Sequence, residues 1–108
     1  MRTAAIAMTA LLAAVTAACA KDGGYTVYGV GKESCANWKF AKGDVVEGNA
    51  WVLGFWSALN ASAGALGRKQ VDSIDAQGII AEVTKSCDQS PSTALAGAVI
   101  DTFLRLSR

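Results

Sequence analysis

The chain has 108 residues, 52% of them hydrophobic, with ten Lys or Arg, nine Asp or Glu and no histidine. That length holds one small core rather than two, and the near-zero net charge argues against a nucleic-acid partner. Without imidazole, neither Ser-His-Asp and Cys-His nucleophile systems nor histidine-dependent zinc sites can be assembled, so many enzyme classes fall away at the outset.

Arg2 supplies a short positive n-region, Ile6 to Val15 an apolar run, and Ala18-Cys19-Ala20 a small-residue cleavage site. Residues 1–20 therefore read as a bacterial-type secretory signal, cleaved after Ala20 to leave a periplasmic protein. The apolar run is shorter than the roughly 20 residues a membrane span needs, and no span is expected elsewhere. Loss of Arg2 leaves nine basic residues against nine acidic ones. It also leaves Cys35 and Cys87 as an even pair in an oxidising compartment, where a Cys35–Cys87 disulfide is expected and no metal is implied. The alternative is a lipoprotein site at Thr16-Ala17-Ala18-Cys19, with a lipid anchor on Cys19, although Thr16 stands where such sites carry Leu.

Residues 21–33 are rich in Gly and Tyr, and Tyr25 to Tyr28 have strand-like content too short for a sheet, so an extended N-terminal arm is expected. The Gly29-Val30-Gly31-Lys32-Glu33 run is not a phosphate loop, because Thr26 replaces its first Gly and Glu33 its Ser or Thr. Ser34 can cap a short helix from Cys35 to about Ala41, stopped by Gly43. From about Val46 to Ala61 the chain is apolar nearly all round, which suits a central helix or an interface. Gly48 and Gly54 within it point to close backbone packing.

The Ser, Gly and Ala-rich stretch Asn60 to Lys69 reads as an exposed connection, and its Asn60-Ala61-Ser62 sequon carries no weight in a bacterial-looking chain. Asp75 can cap a third helix in which Ile80, Val83 and Cys87 form one buried stripe. Ser90-Pro91 suggests an N-cap with proline at the first helical position, and Leu95, Val99, Thr102 or Phe103, and Leu106 then recur to the C-terminus. The fold expected over residues 34–108 is all-α, a bundle of three to four helices clasped by one disulfide.

No paired carboxylates stand at a recognisable catalytic spacing, so no catalytic residue and no cofactor is expected. The Asp72 and Asp75 pair is read as helix capping. Trp51, Val52, Phe55, Trp56 and Leu59 carry more bulk than one helix face buries in so small a domain. Either they form the core, or part of that surface, Trp56 included, is covered by a partner: an unfolded client, a specific protein or a second copy in a homodimer.

The series Ser34-Cys35-Ala36-Asn37-Trp38, Gly54-Phe55-Trp56-Ser57-Ala58-Leu59-Asn60, Asp75-Ala76-Gln77-Gly78-Ile79 and Cys87 resembles the HdeA/HdeB family of small periplasmic acid-stress chaperones. The chain is also similar to uncharacterised exported bacterial proteins with Gly-x-Gly before the first Cys and Pro four residues after the second, here Gly29, Gly31 and Pro91. The HdeA resemblance implies that Cys35 and Cys87 pair, that the Trp51 to Leu59 helix lies at the hydrophobic centre or dimer surface, and that acid opens the fold for client binding. Protonation of Asp44, Glu47, Asp72, Asp75, Glu82, Asp88 and Asp101 would drive that opening. The chain departs from the family in lacking a lysine-rich C-terminus, offering only Arg105 and Arg108. A rival resemblance is to periplasmic immunity proteins that neutralise type VI secretion effectors.

Overall fold

The computed structural model describes residues 24–40 and 45–108. The expected secretory signal, Cys19 and the expected helix stop at Gly43 lie outside them. A 3-10 turn, Gly29–Lys32, precedes four helices: α1 (Cys35–Phe40), α2 (Val45–Ala65), α3 (Ala76–Gln89) and α4 (Leu95–Leu106). Cys35 and Cys87 are bonded, with Cα atoms 5.1 Å apart. The expected all-α bundle with one disulfide is thus the observed fold. No helix among the described residues is long and apolar enough to cross a membrane.

Only six residues long, α1 is too short to persist without tertiary support. Its support is a backbone clip to the turn before α4. Cys35 N–H donates to the Thr93 carbonyl (2.8 Å), Ala36 N–H to the Pro91 carbonyl (2.9 Å), and Leu95 N–H to the Glu33 carbonyl (2.8 Å). These bonds satisfy donors at the starts of two helices, which otherwise lack partners. Ser34 also accepts from Asn37 N–H at 3.2 Å, as expected of an N-cap. The disulfide then joins this clip to the end of α3. Proline is not at the first position of α4: Ser90 closes α3, and Pro91 lies in the turn, where its carbonyl serves α1.

Helix α2 is longer than its composition suggests. The Ser, Gly and Ala-rich stretch expected to be a connection is helical to Ala65, and the stop is Gly67 at φ 65°. Gly67 N–H donates to the Gly64 carbonyl and Arg68 N–H to the Ala63 carbonyl, the paired bonds of a Schellman ending. The apolar-all-round pattern of α2 resolves into two unlike faces. Gly48, Val52, Trp56 and Ala63 are buried, whereas Ala50, Gly54, Ser57, Ala58 and Ala61 face outward as small residues. Gly54 meets no close neighbour, so the close packing expected there is confined to Gly48, against which the Trp38 indole lies.

On α3, Asp75 accepts from Gly78 N–H at 2.8 Å and caps the helix as expected. Its fully inward residues are Ile79, Val83 and Cys87: Val83 and Cys87 are buried as expected, while Ile79 takes the inward place expected of Ile80, which packs half-buried at the edge. Along α4, Leu95, Val99, Thr102 and Phe103 are buried and Leu106 is half-buried. Thr102 donates to the Ala98 carbonyl, so the 2.7 Å contact with Ser86 has the Ser86 hydroxyl as donor. No buried side-chain polar atom lacks a partner among the described residues.

The N-terminal arm is seated on α2. The Trp51 indole donates from Nε1 to the Tyr28 carbonyl (3.1 Å) and covers Gly31, where an added Cβ would fall 1.9 Å from the ring. Gly31→Ala should therefore displace the Trp51 ring and destabilise by about 1–3 kcal/mol. Its indole emission should shift toward that of solvated tryptophan. An unchanged spectrum and melting temperature would show that the arm is not held this way.

Candidate functional site

The five residues singled out on α2 do not form one surface. Val52 is fully buried and Trp56 is 2% exposed, so both belong to the core. Trp56 meets Phe103 of α4 edge-on at 5.1 Å between ring centroids, and its Nε1 donates to the Val71 carbonyl at 3.2 Å. In the folded state Trp56 therefore has no exposed face. The physical reason is its i+4 relation to Val52, which puts it on the inward side of the helix.

Trp51, Phe55 and Leu59 are half-buried. Trp51 and Phe55 stack at 4.9 Å between centroids and, with the arm residues Thr26 to Tyr28, flank a shallow groove floored by Ala50, Gly54 and Ala58. The Tyr28 side chain is 81% exposed. This aromatic group is the part of the expected surface that solvent reaches.

A second apolar region was not foreseen. The last turns of α2 and α4 enclose a groove of 320 Å³ lined by Leu59, Ala63, Ile100 and Phe103. Leu66, 70% exposed, and Leu104, 55% exposed, border it, and Arg68 and Lys69 complete its rim. The available signal was Leu66 and the Arg68-Lys69 pair just beyond a helix stop, on a segment expected to be an exposed linker.

The segment after α2 is pinned rather than loose. Val71 N–H donates to Asn60 Oδ1 (2.7 Å), and Asn60 Nδ2 donates back to the Val71 carbonyl (3.0 Å). Both ends of the Asn60 amide are thereby used, which gives this residue a structural role.

Glu82 is the charged junction between α3 and α4. Its carboxylate accepts from Lys85 on its own helix (3.0 Å) and from Arg105 on α4 (2.9 Å). The Lys85 hydrogen bond, then that of Arg105, hold the Glu82 carboxyl below the usual glutamate range. A depressed carboxyl pKa stabilises the fold above the unfolded value, about 4.3, and that contribution is lost as pH falls through the folded value. Glu82→Gln should therefore lower the urea midpoint at neutral pH, with the gap closing in acid. A gap of constant size at all pH values would mean that the ion pairs contribute nothing.

No group of three or more Cys, Asp or Glu able to hold a metal occurs among the described residues. No protein-family model, curated protein or solved structure matches the chain.

Proposed function

We propose that this is a periplasmic, non-enzymatic protein-binding protein that works as an acid-opened holdase in the manner of HdeA. The observation that carries the reading is the unequal fastening of α4. Its start is tied by the backbone clip beside the disulfide, whereas its far half rests on side chains alone: the Phe103 to Trp56 contact, the Ser86 to Thr102 hydrogen bond and the Arg105 to Glu82 bridge.

Acid acts on that far half in two ways. Protonating Glu82 releases Arg105, and full protonation of the nine carboxylates carries the exported chain to about +9, a self-repelling state. If the last turns of α4 lift, Trp56, Phe103 and Leu106 present apolar surface, while the Cys35–Cys87 disulfide keeps α1 and α3 together and limits the opening. Binding of an apolar fluorescent dye should rise as pH falls through the Glu82 pKa, which lies below the usual glutamate range. Locking α4 to α3 with an engineered disulfide should suppress the rise. A dye signal flat to about pH 2 would contradict acid opening.

A second reading is a dedicated binder of one protein, such as an immunity protein for a secreted effector. It is favoured by apolar side chains that already stand on the folded surface, Tyr28, Leu66 and Leu104 among them.

A further inference from the structure

We propose that the groove between the ends of α2 and α4 docks an apolar peptide segment of a partner protein flanked by carboxylates. The inference rests on the second reading, that the folded chain binds a partner protein, and it names the partner's chemistry. Half-buried Leu59 and Ile100, with the edges of the buried Ala63 and Phe103 side chains beneath them, offer an apolar floor. Leu66 and Leu104 stand out from the lip, so apolar surface spreads beyond the cavity. That suits a peptide lying across the rim better than a small ligand, which a site normally encloses over most of its surface.

The charge of the rim selects the occupant. Arg68 and Lys69 line it, no carboxylate does, and neither cation makes an ion pair among the described residues. Arg105, nearby in sequence to Leu104, is engaged by Glu82. A segment with Leu or Phe side chains in the groove and Asp or Glu beside them would pair both cations, which steers encounter and fixes orientation. The Schellman turn holds Arg68 immediately beyond the end of α2, and the Asn60 to Val71 bonds hold the chain that carries Lys69. The rim is thus preorganised by its backbone.

The test is selection from a phage-displayed library of short random peptides on the oxidised protein at neutral pH. The strongest binder is then titrated by fluorescence polarisation against the wild type, Leu66→Asp, Leu104→Asp, the double variant Arg68→Glu with Lys69→Glu, and Phe55→Asp. All the groove substitutions are at exposed positions, and circular dichroism checks that each variant folds. The expected result is enrichment of Leu or Phe with Asp or Glu, and a loss of affinity of roughly tenfold or more in each groove variant. Binding should weaken with added salt and persist in Phe55→Asp.

Peptides whose affinity is unmoved by the groove variants but lost in Phe55→Asp would overturn the groove and leave the protein-binding reading standing. Charge reversal that lowers stability without changing peptide selection would assign Arg68 and Lys69 to the α2 terminus alone and also overturn the proposal. Failure to enrich any peptide would overturn the groove proposal.

Discussion

Reducing the oxidised protein, or replacing Cys35 and Cys87 together by Ala, should cost about 4 kcal/mol of stability, since the bond spans a sequence separation of 52 residues. That is a large share of the roughly 5–15 kcal/mol that holds a folded domain, and this domain is small. The local consequence is also large. The bond fastens a six-residue helix that has little stability of its own; the N–H groups at the start of α1, with the Glu33 carbonyl just before it, in turn satisfy the turn and first residue of α4. Guanidinium unfolding of the oxidised and reduced protein measures the effect. Coincident midpoints would show that the clip and core hold α1 without the bond.

Trp56→Ala should cost roughly 3–5 kcal/mol, the range for truncating a large aromatic side chain in a core. Trp56 touches three parts of the fold: its own helix, Phe103 on α4 and, through Nε1, the Val71 carbonyl. Trp56→Phe separates these roles, because it keeps a ring against Phe103 and loses the hydrogen bond. It should cost less, since Asn60 still donates to that carbonyl. Equal losses for the two variants would show that the hydrogen bond dominates; no loss for Trp56→Ala would contradict its place in the core.

The disulfide and the Asp75 cap were legible in the sequence: Cys35 and Cys87 are the even pair that an expected export signal would leave in an oxidising setting, and an Asp before a helix needs only its own N–H neighbours. The length of α2 was less legible. Ser62 and Gly64 weigh against a helix by propensity, whereas the decisive residue is Gly67, whose positive φ permits the Schellman bonds. Pro91 misled for a related reason. A proline after serine fits a helix start, yet here the turn must pass α1 and offer it a carbonyl, a demand made by tertiary structure.

The candidate surface was legible only in part. A run containing Trp51, Val52, Phe55, Trp56 and Leu59 announces apolar bulk without saying which side faces in. The i+4 row Gly48, Val52, Trp56 separates the core from Trp51 and Phe55, but its significance depends on where Trp38, Val71 and Phe103 arrive. The groove at the other end of α2 needed the fold, because Leu66 and Leu104 lie 38 positions apart in the chain and border one cavity only after α4 returns along α2.

The most direct measurement is light scattering of an acid-labile client at about pH 2.5, with and without the oxidised protein, beside a neutral control. The acid-holdase account predicts that aggregation is suppressed in acid alone, and that suppression weakens when α4 is locked to α3. Aggregation unaffected by the protein at acid pH would contradict it.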